Sequence, residues 1–162
     1  MTKPDAPRLT LPLPDEEATG RLAEWFAPRL AAGDCILLEG QIGAGKSHFA
    51  RALIRAKLGR MEDVPSPTFT LVQSYDAGDV EIWHADLYRL TNPDEALELG
   101  LDEAFANAIT LIEWPDRLGR AQPPDAIRIA LTAAGEGRLA TVDLPGRAGL
   151  ARALAADWGT DD

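Results

Sequence analysis

Cysteine is nearly missing from this chain. Cys35 stands alone, which excludes an internal disulfide and any chemistry that needs a thiol pair. It lies in the apolar run Cys35-Ile36-Leu37-Leu38, where a thiol is expected to be buried and inert. No stretch approaches the roughly 20 apolar residues that a membrane helix needs. Residues 1–14 hold four prolines and no signal-peptide layout, so they read as an extended lead-in. These absences point to a cytoplasmic protein with no membrane partner. Basic charge is also scarce: 16 Lys and Arg stand against 26 Asp and Glu, for a net charge of -10. A protein built to grip a nucleic-acid backbone carries a basic face, and no lysine or arginine cluster occurs here. The acidity reads as a solubility feature or as a surface for a basic partner protein.

What is present suits one folded domain spanning residues 1–162. The chain is 46% apolar and 26% charged, ordinary for a globular protein. Asp15 can cap a helix carrying Leu22, Trp25, Phe26 and Leu30 at helical spacing, with Pro28 ending or kinking it. Cys35 to Glu39 reads as a buried strand, and Lys46 to Leu58 as a helix that stops at Gly59. Phe69 to Tyr75 and Val80 to His84 read as a hairpin, as do Ala126 to Leu131 and Leu139 to Leu144. Asn92-Pro93-Asp94-Glu95 starts a helix that runs to about Leu99. Ala108 to Ile112 is another apolar strand, and Ala148 to Trp158 a final helix. The fold class is therefore α/β: a mixed, mostly parallel central sheet flanked by helices, with β-hairpins.

The sharpest signal is Gly40-Gln41-Ile42-Gly43-Ala44-Gly45-Lys46-Ser47, which fits G-x-x-x-x-G-K-S/T at every fixed position. A strand precedes it and a helix follows, as this phosphate-binding motif requires. Glycines let successive backbone N–H groups turn towards phosphate oxygens, here from Gly43, Ala44 and Gly45. The helix adds its positive N-terminal end. Lys46 supplies a cation for the β- and γ-phosphates, Ser47 a hydroxyl for Mg²⁺, and His48 a backbone N–H for the α-phosphate. A plain glycine turn is the simpler reading of the loop, but it does not account for the Lys-Ser pair that follows.

A nucleoside triphosphate site also needs an acid opposite the loop to hold Mg²⁺ directly or through water. Ile109-Thr110-Leu111-Ile112-Glu113 ends in one, so Glu113 is the candidate; otherwise it is a surface glutamate in the turn before Pro115. Asp86, in His84-Ala85-Asp86-Leu87-Tyr88-Arg89-Leu90, either orients the attacking water or supports the Mg²⁺ shell, or else pairs with Arg89 and only shapes the loop. His84 reads as a packed or hydrogen-bonded histidine. Thr68, in Ser66-Pro67-Thr68-Phe69, either reaches the γ-phosphate or a Mg²⁺ water, or belongs to a rigid Pro turn entering a strand.

Taken together, GQIGAGKS, SPTFTL (66–71), HADLYRL (84–90) and LIEWPD (111–116) occur in order, and this set resembles the TsaE family, also called YjeE. The resemblance covers nearly the whole chain and implies a P-loop fold. It implies a Mg²⁺-dependent ATPase that supports formation of threonylcarbamoyladenosine in tRNA, beside anticodons that read codons beginning with A. The partners it implies are TsaD, which performs the transfer, and TsaB; the ATPase resets their complex between turnovers and meets tRNA only indirectly. By position, Ser47 and Glu113 resemble the family's Mg²⁺ ligands, Asp86 its catalytic aspartate and Thr68 its switch-loop threonine. Glu16 and Arg138 resemble outlying nucleotide contacts. Ser47 stands where the family usually has threonine, which supplies the same hydroxyl.

Two other readings compete. A small-molecule kinase would close an arginine-bearing lid over the phosphates, which Arg117 and Arg120 can mimic, although Pro123-Pro124 cuts that segment short. A non-catalytic module would use ATP only as an assembly switch, although Lys46, Ser47, Asp86 and Glu113 are all in place. Neither an N-K-x-D guanine motif nor an L-S-G-G-Q transporter signature occurs.

Overall fold

The computed structural model describes residues 8–41, 44–59 and 72–158. In chain order the elements are β1 (Arg8–Leu13), α1 (Glu16–Phe26), β2 (Cys35–Glu39), α2 (Lys46–Leu58), β3 (Val72–Asp76), β4 (Glu81–Asp86), α3 (Asp94–Glu98), α4 (Leu101–Asn107), β5 (Ile109–Glu113), β6 (Ile127–Ala134), β7 (Gly137–Asp143) and α5 (Ala148–Trp158). The strands form one sheet in the order β1-β7-β6-β2-β5-β4-β3. Its centre, β6-β2-β5-β4, is parallel, and its flanks are antiparallel, with three pairings of each kind.

Local chemistry explains most of these elements. Asp15 sits in an extended conformation before α1, and its carboxylate accepts the Ala18 amide at 2.9 Å, satisfying a donor that the helix cannot. Pro28 converts the end of α1 into a 3-10 turn at Ala27–Arg29. Ahead of α3 the Asn92 side chain accepts the Asp94 amide at 2.9 Å while Glu95 accepts the Asn92 amide at 3.0 Å, the reciprocal capping expected from the sequence. β2 and β5 are covered on both faces, which is why CILLE and ITLIE are nearly continuous apolar runs. Ile36 and Leu38 pack with Phe26, Phe49, Leu53 and Leu154 on one side of the sheet. Cys35 and Leu37 pack with Leu87, Leu101, Ile112 and Leu118 on the other.

Three features differ from the sequence expectation. The lead-in is more than extended chain: residues 8–13 form the edge strand β1, paired antiparallel with β7 from Arg8↔Asp143 to Leu13↔Arg138. Leu9, Leu11 and Leu13 face inward while their neighbours face out, and Pro12 is tolerated because the strand lies at the sheet edge. Residues 101–107 form α4, and Pro115–Ala121 a 3-10 segment kinked at Gly119. Of the first hairpin strand, expected over Phe69 to Tyr75, residues 69–71 lie outside the described residues, and the strand runs one residue further, to Asp76. No helix among the described residues is long and apolar enough to cross a membrane.

Two outcomes test this packing. Leu11→Ala empties a position with no exposed surface and is expected to lower the unfolding free energy by about 2–5 kcal/mol in a urea titration; an unchanged midpoint would mean that β1 adds nothing to the core. Burial pushes the Cys35 thiol up to about 12, so at pH 8 it stays protonated. A thiol-specific disulfide reagent is therefore expected to label it only on unfolding, whereas rapid labelling of the native protein would contradict the burial.

Candidate nucleotide and metal site

Parallel pairing of β2, β5 and β4 brings three carboxyl-terminal strand ends together. Leu38 pairs with Glu113, and Glu113 with Asp86. The crevice beyond such strand ends is where open α/β sheets bind ligands.

The glycine loop leaves β2 here. Gly40 has φ 145, and a Cβ on it would lie 2.7 Å from the Leu131 carbonyl oxygen, so no larger residue fits. Gly45 caps α2 from the left-handed region, φ 104, a conformation that glycine adopts without strain. Phe49 makes the first α-helical bond back to Gly45, at 2.9 Å, so the Lys46, Ser47 and His48 amides are first-turn donors without a partner inside the helix. Ile42, Gly43 and Thr68 lie outside the described residues.

Lys46 is buried, and its ammonium group donates to the carbonyls of Gly40 and Gln41 while lying 3.8 Å from the centre of the Trp114 ring. Burial pulls its pKa below the usual lysine value, and the charges of Glu113, Asp86 and Asp116 oppose that shift. The Ser47 hydroxyl is within 3.0 Å and 3.1 Å of the two Glu113 carboxylate oxygens. Glu113 is itself buried, and the imidazole Nε2 of His84 lies 2.7 Å from its Oε2. Asp86 is half-buried, and its Oδ1 accepts the Tyr88 amide at 3.1 Å. Arg89 is exposed and does not line this crevice.

Two cavities meet at Gly45 and His48. One, of about 340 Å³, is lined by Lys46, Ser47, Arg51, Asp86, Tyr88, Glu113 and Trp114. The other, of about 190 Å³, is lined by Glu16, Thr19, Ala44 and Arg138 among others. Arg138 is anchored there, its Nε donating to the Ala44 carbonyl at 3.3 Å, and His48 Nε2 bonds the Glu16 carbonyl at 3.0 Å. Every candidate residue that is described therefore lines one of these two adjoining spaces.

The sequence does not single out Tyr88 or Arg51, and it places Trp114 near the nucleotide only as the neighbour of the candidate metal acid, with no role assigned. Trp114 is the one non-glycine residue among those described with positive φ, at 60, a strained conformation of the kind that clusters at functional sites. Its ring lies 4.9 Å from that of Tyr88. The signal was present: an aromatic residue follows each of the two acids, Trp114 next to Glu113 and Tyr88 two places after Asp86.

The donors suit a hard cation. Ser47, Glu113 and Asp86 offer only oxygen, and no group of three or more His, Cys, Asp or Glu able to cage a metal occurs among the described residues. Mg²⁺ at nucleotide sites takes few protein ligands and completes its shell with phosphate and water, so this sparse set fits.

The family described as threonylcarbamoyl adenosine biosynthesis protein TsaE matches residues 13–140. The chain belongs to the TsaE family. A TsaE protein of tRNA threonylcarbamoyladenosine biosynthesis from Rickettsia conorii is 41% identical over 121 residues, covering 75% of this chain and 69% of the relative. One from Bacillus subtilis is 36% identical over 121 residues, covering 74% and 75%. The crystal structure of YdiB from Bacillus subtilis superposes with a TM-score of 0.76 at 26% identity, covering 97% of both chains. Membership of the TsaE family places this chain in threonylcarbamoyladenosine biosynthesis, a tRNA modification, and the shared fold agrees with the mixed α/β sheet expected from the sequence.

In this TsaE chain the Asp86 carboxyl is held above the usual aspartate value, first by burial and then by Glu113, against the Tyr88 amide, His84 and Lys46. An acid with a raised folded-state pKa weakens folding as it ionises, so stability declines as pH rises from the unfolded value of about 4 through the raised one. Without ligand, Asp86→Asn is expected to melt at or above the wild-type temperature at pH 7, with the gap closing as pH falls towards ~4. A variant that melts well below wild type at pH 7 would refute the strain assigned to this carboxylate.

Proposed function

We propose that this chain is a Mg²⁺-dependent ATPase that acts in the cytoplasm on a TsaD–TsaB complex to sustain threonylcarbamoyladenosine formation in tRNA. The observation that carries this reading is the convergence of Lys46, Ser47, Asp86 and Glu113 on one cavity at the ends of the parallel strands. First-turn amides of α2 and the Lys46 ammonium supply the positive environment that a triphosphate tail needs. Ser47 and Glu113 hold the metal, which neutralises phosphate charge when bound. Asp86 faces the same space and orients the attacking water. Thr68 lies outside the described residues, and its γ-phosphate role rests on its place in the family motif alone. The adjoining cavity takes the nucleoside end, with Glu16 and Arg138 at its rim.

Hydrolysis, not transfer to a small molecule, suits the segment after Glu113. Arg117 and Arg120 sit on an exposed 3-10 turn that ends by Ala121, too short to close over a bound acceptor. The family membership supports the role in tRNA modification, and the acidic surface suits a protein partner better than direct contact with tRNA.

Lys46→Ala is expected to keep its fold by circular dichroism and to lose about 100-fold in ATP turnover, the scale of removing one electrostatic contact to the reacting group. In reconstituted reactions with TsaD and TsaB, the wild type is expected to permit many rounds of tRNA modification and the variant no more than the first. Repeated turnover without this chain or without ATP would sink the reading.

A further inference from the structure

His84 has no part in phosphate binding, yet it is placed with unusual economy. It lies on β4 with its side chain fully buried, two residues before Asp86, and its register partner on β5 is Leu111, two residues before Glu113. The pairing sets the imidazole behind the Glu113 carboxylate, with Nε2 at 2.7 Å from Oε2. An ionised carboxylate only accepts, so Nε2 carries the proton of this bond. The other ring nitrogen, Nδ1, is buried and has no hydrogen-bond partner among the described residues. Filling this space alone would not call for a nitrogen; a phenyl ring would avoid the unsatisfied atom.

We propose that His84 is a positioning residue for the metal acid. Its Nε2–H grips Glu113 from behind while Ser47 reaches it from α2, so the carboxylate is locked between two elements with its remaining lone pairs turned to the cavity. This deepens the ATPase reading and rests on it. Carboxylates that serve a metal are commonly oriented by such outer partners, whose loss costs about 10–100-fold in metal affinity.

The test compares wild type, His84→Phe and His84→Gln by calorimetry with ADP, with and without Mg²⁺, and by Mn²⁺ electron paramagnetic resonance of the ADP complex. His84→Phe is expected to bind ADP alone as wild type does, but to bind the metal about 10–100-fold more weakly. His84→Gln, whose amide reaches the place of Nε2, is expected to restore most of that affinity. Equal metal affinity in wild type and His84→Phe would overturn the positioning role and leave the ATPase reading standing. A wild type that binds no adenine nucleotide with metal would overturn both. Should His84→Phe not fold, His84→Asn replaces it: its shorter amide stops at the place of Nδ1, so an affinity equal to that of His84→Gln would equally overturn the proposal.

Discussion

Glu113 keeps a carboxylate inside the protein, 2% exposed, and much of the architecture follows from making that tolerable. An unpaired buried charge costs several kcal/mol or neutralises itself. Here the first turn of α2 supplies the Ser47 hydroxyl and β4 supplies the His84 imidazole. Both donors depend on parallel pairing of β4, β5 and β2, because a one-residue slip would turn His84 and Glu113 to opposite faces of the sheet. The acid therefore ties sheet register to site geometry.

Around this centre the two halves of the sheet do different work. The inner parallel strands β2 and β5 are buried on both faces, and the candidate acids Asp86 and Glu113 stand at the carboxyl ends of β4 and β5. The antiparallel wing of β6, β7 and β1 supplies support: Leu131 of β6 lies against Gly40, and Arg138 of β7 bonds the Ala44 carbonyl. The long hairpin thus braces the glycine loop from the side opposite β4. The outer strand is clasped in turn by the Arg8–Asp143 ion pair at 2.6 Å and by Trp158, whose ring nitrogen bonds the Pro12 carbonyl at 3.4 Å.

Lys46 shows how the site manages cationic charge. Its ammonium is desolvated, satisfied by loop carbonyls and covered by the Trp114 ring. The strained backbone of Trp114 is what brings that ring over the lysine. A cation held between carbonyls and an aromatic face is already ordered, so little side-chain entropy would remain to be lost on binding the triphosphate proposed above.

Elements encoded by neighbouring residues were legible in the sequence: Asp15 ahead of α1, the Asn92–Glu95 cap, the apolar runs of β2 and β5, and the glycine loop joined to α2. Each depends on contacts within a few positions, so composition and spacing suffice. The candidate residues were legible as types, since a phosphate loop demands a lysine, a hydroxyl and an opposing acid. What tertiary structure alone decided depends on partners far apart in the chain. Six residues with prolines on both sides became β1 only because β7, more than a hundred residues later, offers an edge. His84 became a partner of Glu113 only through the parallel register of their strands, and Trp114 a cover for Lys46 only through a left-handed backbone. Short-range capping and periodicity are written in adjacent side chains. Strand register and the burial of a charge are properties of the packed whole, and no local stretch of sequence contains them.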